Sequence, residues 1–191
     1  ANLTGVDLSG RDLTGTILMA ANLTNVNLSG VDLSGMDLTN VNLTNVDLSG
    51  RNLTGANFDI AKLEGTNLEN TNLTAASFVE VDFTKIKNKS LAGADFSYTS
   101  FAYSNLSGVN LTDVILDTTN FYNADLSGVD FTVTAKKSYH GTIFIDANLS
   151  NSNFEGVDLS PKKIYFHTFE NKAHLNNLHH NLMVKNLFGE F

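Results

Sequence analysis

The chain has 191 residues, 20 Asp and Glu against 12 Lys and Arg, one proline, no tryptophan and no cysteine. A formal net charge of −8 lacks the Lys/Arg surface that neutralises phosphates, which argues against direct nucleic-acid binding. The missing cysteines exclude disulfides and Cys-ligated zinc, and no apolar run approaches the roughly 20 residues that span a bilayer.

The first element is a repeat. Val26-Asn-Leu-Ser-Gly-Val-Asp-Leu-Ser-Gly-Met-Asp-Leu-Thr-Asn-Val-Asn-Leu-Thr-Asn45 says one five-residue unit four times: small or β-branched, Asp/Asn, Leu, Ser/Thr, Gly/Asn. With the Leu or Phe as centre, 17 centres run unbroken from Leu3 to Phe83. A fixed period decides the architecture before any other signal. Five fits neither the helical nor the strand period, so the chain must bend alike every five residues, on Gly, Asn and Asp. Four bends close a square coil of twenty residues, and coils stack at roughly 4.8 Å. The centre and the residue two before it point inward; the others point outward and are polar.

The period breaks after Phe83, in Val81-Asp-Phe-Thr-Lys-Ile-Lys-Asn-Lys-Ser-Leu-Ala-Gly93, and again after Phe131, in Val129-Asp-Phe-Thr-Val-Thr-Ala-Lys-Lys-Ser-Tyr-His-Gly141. Each break (near 84–90 and 132–138) puts the next centre, Leu91 or Tyr139, eight residues on, an insertion of three. Lys85, Lys87, Lys89, Lys136 and Lys137 gather there, as solvated edge protection or as contact loops on a rigid scaffold. In all, 31 centres reach Leu159, about seven to eight coils and a rod on the order of 38 Å long.

Numbered by side, the fourth side holds Leu18, Leu38, Phe58, Phe78, Phe101, Phe121 and Phe144. That predicts a Phe ladder in phase across both breaks. The outward positions of this side are apolar where other sides are polar: Ile17, Met19, Ile60, Val79, Ala102, Tyr103, Tyr122, Ile143 and Ile145. A contiguous apolar strip predicts a partner or self-association surface, or cover by another part of the chain. Arg11 and Arg51 stand at inward positions, where an unpaired charge is too costly; their side chains are expected to leave through the corner.

Beyond Leu159 the grammar stops. Ser160-Pro161 reads as a helix start, and Leu175, Leu178, Leu182 and Leu187 as an amphipathic helix over about 173–187. Residues 161–191 are therefore expected to form a C-terminal cap over the open solenoid end. Leu175, Leu178, Leu182, Leu187 and Phe188 are its capping or dimerising residues.

Ala21-Asn-Leu-Thr-Asn25 and Ala147-Asn-Leu-Ser-Asn151 carry an A-(D/N)-L-x-x motif that resembles the pentapeptide repeat family. The resemblance covers about residues 1–160. It implies an all-β solenoid, a right-handed quadrilateral β-helix, here with an α-helical cap. The motif specifies the fold and not a site. Some members imitate duplex DNA in the DNA groove of a type II topoisomerase such as gyrase, and those members dimerise through the C-terminal end. Outward Asp7, Asp47 and Asp130 on the second side and Asp12, Asp32, Asp95 and Asp158 on the third fit that reading, although Asn takes many levels. Other members are domains of secreted bacterial effectors.

No Ser-His-Asp set, phosphate loop or carboxylate pair stands out from the repeat. His167, His174, His179 and His180 lack a shared helical face, so no metal or cofactor is expected. The expectation is a non-enzyme: a scaffold that binds a protein through the apolar side, the Lys loops or the tail. The topoisomerase-directed DNA mimic and the secreted effector are its alternatives. A bacterial cytoplasmic protein is the default setting, with homodimerisation through the cap or the apolar side as the self-association route.

Overall fold

A computed structural model describes residues 1–136, 139–157 and 164–165. Each five-residue unit ends in a turn. At the first, Val6 N–H donates to Leu3 O at 3.0 Å, with Gly5 at φ +68. A left-handed φ at the third turn position alone defines a type II turn, the geometry that favours Gly or Asn there. The polar letters have a bonding reason. Asn42 Oδ1 accepts from Thr44 N–H at 3.0 Å and from Thr44 Oγ1–H at 2.6 Å, and the same Asx pairing recurs around the rod, for instance at Asp82 and Thr84 and at Asp130 and Thr132. Asp and Asn both serve this turn because each presents the accepting oxygen.

Coils pair backbone to backbone. Asn22 N–H donates to Ala1 O at 2.8 Å, and Leu23 N–H to Asn42 O at 2.8 Å, so each side is a ladder of parallel bridges such as Asn2↔Asn22↔Asn42↔Lys62. Those partners are twenty residues apart. Across the breaks the bridges are Asn72↔Asp95, Ser77↔Ser100, Asp82↔Asn105, Asn120↔Ile143, Asp125↔Asn148 and Asp130↔Asn153, each twenty-three apart. The insertions therefore bulge without skipping a side, and the right-handed four-sided helix continues in phase.

The first bulge consists of two 3-10 turns, Phe83–Lys85 and Lys87–Lys89. Between them Ile86 drops into the core, and Lys87 N–H still reaches Thr66 O of the coil above at 2.9 Å. In the second bulge Tyr139 replaces the aliphatic centre and is buried. Its hydroxyl donates to Phe131 O at 2.6 Å and lies 2.8 Å from Thr134 Oγ1; burial pushes the phenol up to about 12.

The core is one column of inward side chains. Phe58, Phe78, Phe101, Phe121 and Phe144 stack in parallel at centroid distances of 4.8, 5.6, 5.5 and 5.4 Å. Offset stacks at that distance suit ring quadrupoles, and the coil repeat supplies the spacing. Inward Thr66, Thr99, Thr119 and Thr142 are also buried, and each hydroxyl donates to a carbonyl of the preceding coil, at Leu43, Leu73, Phe96 and Leu116. A small polar residue is tolerated inside because it is paired.

Strand β1 (Thr142–Ile143) pairs in parallel with β2 (Ile164–Tyr165), in the register Thr142↔Ile164 and Ile143↔Tyr165. The ladder thus runs past residue 160, and a helix opening at Ser160-Pro161 does not extend through 164–165. The amphipathic segment at 173–187, with Leu175, Leu178, Leu182, Leu187 and Phe188, lies outside the described residues.

Candidate functional site

Side four turns each coil's last corner, on Ala20, Asn40, Ile60, Glu80, Tyr103, Asn123 and Asp146, all at left-handed φ and none of them glycine. Side one meets the same requirement with Gly5, Asn25, Asn45, Gly65, Gly108, Gly128 and Asn151. For an L residue the left-handed region costs roughly 1–2 kcal/mol, and a β-branched residue there is an outlier. Ile60 at φ 53 and Tyr103 at φ 61 carry that cost while being 44 % and 50 % exposed. Neither strain nor burial explains keeping such side chains at this corner.

The outward column beside that corner reads Val79, Ala102, Tyr122 and Ile145 on four successive levels, joined by Glu80 N–H to Ala102 O, Tyr103 N–H to Tyr122 O and Asn123 N–H to Ile145 O. Tyr103 and Tyr122 meet edge to face at 5.3 Å. The interaction with Tyr103 holds the Tyr122 phenol above its usual range. Val79, Tyr122, Ile143 and Ile145 are half-buried, because each is flanked by its neighbours in the stack. Tyr98, 65 % exposed, adds an aromatic at the opposite corner of side four. It is the last residue of side three, so its place in the repeat assigns it there although it stands at the corner that side four shares.

The apolar strip is not continuous. Ile17, 84 % exposed, and Met19, 51 % exposed, sit beside a shallow hollow with Thr16, Met36 and Asp37. Asp37, Thr39 and Asn40 on the next level separate them from the patch that begins at Ile60. The candidate surface is therefore Ile60 through Ile145, with Ile17 and Met19 as a separate spot.

The lysines are not one patch. Lys85, Lys87 and Lys89 stand exposed at the corner between sides one and two, where Lys85 approaches Asp82 at 3.8 Å. Lys136 is at the corner between sides two and three, bound to Asp117 at 2.7 Å; that bond raises its ammonium above its usual range. Lys137 lies outside the described residues. Arg11 is exposed and Arg51 half-buried, with Arg51 Nη1 donating to Val31 O at 3.4 Å, the exit through the corner that an inward arginine requires.

The Asx bonds also set the charge of the outward Asp columns. Asp7 and Asp32 are held below the usual carboxylate range by the backbone N–H of Ser9 and Ser34, and Asp12, Asp37 and Asp47 by the hydroxyls of Thr14, Thr39 and Ser49. Among the described residues no cluster of His, Asp or Glu could hold a metal, and no helix is long and apolar enough to cross a membrane. His167, His174, His179 and His180 lie outside the described residues, as does Asp158.

The sequence model described as Pentapeptide repeats matches in eight copies, over residues 1–40, 21–59, 52–87, 94–132 and 140–160. Its interruptions coincide with the two bulges. No curated protein matches. Among solved structures, the chain is similar to HetL, a pentapeptide repeat protein involved in heterocyst differentiation regulation from the cyanobacterium Nostoc sp. strain PCC 7120. That match has 24 % identity, covers 83 % of each chain and has a TM-score of 0.38. It is also similar to QnrB1, a plasmid-mediated fluoroquinolone resistance protein, at 17 % identity over 93 % of this chain and 99 % of that one, TM-score 0.40. A third is Rfr23 from the cyanobacterium Cyanothece 51142, at 21 % identity over 69 % and 89 %, TM-score 0.25.

Proposed function

The chain belongs to the pentapeptide repeat family, and from that premise we propose that it is a non-catalytic scaffold that binds a protein partner through side four, over Ile60, Val79, Tyr103, Tyr122, Ile143 and Ile145. The observation that carries this reading is the corner at which Ile60 and Tyr103 expose apolar side chains in a left-handed conformation. Local strain kept where packing does not need it points to use, and exposed aromatics are the usual anchors of protein interfaces. Tyr103→Asp with Ile145→Asp is the test, since both side chains are outward and the core is untouched. Partner capture or self-association is expected to disappear while the chain still unfolds cooperatively, near or above the parent's midpoint, since Asp tolerates the left-handed turn at 103 better than Tyr. Capture that survives both charges rules side four out.

A second reading rests on the carboxylates of sides two and three, which the Asx bonds keep ionised: a DNA mimic directed at a type II topoisomerase. Against it, Asn27, Asn52, Asn67 and Asn72 occupy intervening levels of the same columns. A gyrase supercoiling assay decides it. Inhibition that weakens with salt supports the mimic, and undiminished supercoiling at saturating protein removes it.

A further inference from the structure

We propose that the partner element docked on side four is a basic amphipathic helix lying along the solenoid axis, an inference that rests on the protein-binding reading above. The first reason is charge. The seven described levels of side four (16–20, 36–40, 56–60, 76–80, 99–103, 119–123 and 142–146) contain Asp37, Asp59, Glu80 and Asp146 and no Lys or Arg. Glu80 and Asp146 are exposed and flank the two ends of the apolar column, beside Val79 and Ile145. Asp59 spends one oxygen on Ser77 Oγ–H and Val79 N–H at 2.6 and 2.8 Å. An apolar strip bracketed by carboxylates, without a cation of its own, complements a segment with apolar residues on one face and Lys or Arg along its edges.

The second reason is spacing. Coils recur at roughly 4.8 Å and helical turns at about 5.4 Å, so a helix parallel to the axis offers about one apolar residue per level across Val79, Ala102, Tyr122 and Ile145. Ala102 is itself buried in that column, so Val79, Tyr122 and Ile145 carry the contact. Tyr98 and Tyr103 stand at the two corners of one coil, where their rings are within reach of a passing ammonium or guanidinium.

The test uses a labelled peptide about 18 residues long, some 27 Å of helix, with Leu on one helical face and Lys elsewhere, titrated with the full chain by fluorescence anisotropy. Glu80→Gln with Asp146→Asn is expected to weaken binding about tenfold, and Val79→Asp with Tyr122→Asp to remove it. Asp12→Asn with Asp32→Asn, the same loss of charge on side three, is expected to leave it within about twofold. Equal losses from both neutralised pairs mean diffuse attraction to an acidic rod and overturn the proposal. So does equal binding of a scrambled peptide of the same composition, or preference for a Glu-for-Lys version. A free protein that sediments as a dimer, dissociated by Tyr122→Asp, assigns the face to a second copy and likewise overturns it. Should the peptide fail while Tyr103→Asp with Ile145→Asp still abolishes partner capture, only the helix falls; should capture also survive, both readings fall.

Discussion

Side one and side four share every coil and the same five-residue unit, yet they resolve the unit's one conformational demand differently. Side one meets left-handed φ with Gly and Asn, and it stacks them: Asn45 Nδ2–H donates to Asn25 Oδ1 at 3.1 Å, and Gly65 follows in the column with no room for a Cβ beside Asn45. Apart from Lys62 and Glu64, its outward face is Asn, Asp, Thr and Ser, many of them tied in Asx bonds. Side four puts Ile, Glu and Tyr at the same corner and apolar residues outside, and it stacks Phe within. Where the repeat only has to fold, it uses the cheapest residue for each position. Where it departs from the cheapest residue, something other than folding has chosen the side chain.

The largest expected effect is inside. Phe101 stacks on Phe78 and Phe121 and meets Phe83 and Phe96 edgewise or tilted. Phe101→Ala should cost about 3–5 kcal/mol in urea unfolding, more than Leu106→Ala one side further along the same rod. Equal losses would show that the Phe ladder adds nothing beyond ordinary burial. Next is Gly65→Ala on side one. It should lose about 1–2 kcal/mol for the left-handed alanine, plus the displacement of Asn45 from its bond to Asn25. In an Asn45→Gly background, which has no such bond to lose, Gly65→Ala should cost only the first part.

Side four should respond with the opposite sign. Ile60→Asn keeps the conformation that Asn40 and Asn123 adopt in that column and should stabilise the rod by about 0.5–1 kcal/mol while weakening partner capture. Destabilisation by this substitution would mean that Ile60 is held by packing, and the contrast between the two corners would lose its functional meaning.

The smallest effect is in acid. Asp7, Asp12 and Asp32 have folded pKa values below the ordinary 3.8, so the unfolded chain binds protons more readily. Their stabilisation is present in full above that value and is lost as pH falls through the depressed folded values. The thermal midpoint should therefore hold from pH 7 to about 5 and decline below about 4. Because Asn makes the same turn bond, Asp7→Asn, Asp12→Asn and Asp32→Asn together should leave neutral stability nearly unchanged and flatten the acid decline. A midpoint equally acid-sensitive in the triple variant would place the sensitivity elsewhere.

Much of the architecture was legible because the code is short. Centres recur at a fixed spacing and point inward, so the Phe column follows from spacing alone, and its phase shows that each break adds a bulge without losing a side. Less of the candidate site was legible. Spacing places Ile17 and Met19 on the same side as Tyr122, but the polar level of Asp37 and Thr39 separates them on the surface. It assigns Tyr98 to the preceding side, although its corner adjoins side four. It also marks inward threonines simply as small, whereas in the coil Thr66, Thr99, Thr119 and Thr142 each satisfy a carbonyl one level up and Thr71 one in its own coil. Ile86 sits among three lysines in the sequence, and only the fold shows it plugged into the core.

The sequence by itself determined the period, the sides, the order of centres and the polar grammar, because each follows from a local rule: a bend every five residues, alternation of inward and outward side chains, and turn residues at fixed offsets. Tertiary structure alone decided which outward residues form a surface, which corners carry strained apolar side chains, and where the ladder continues at Ile164–Tyr165. Those properties depend on neighbours twenty to twenty-three residues away, brought to coil spacing only when the rod is wound, so no local pattern can contain them.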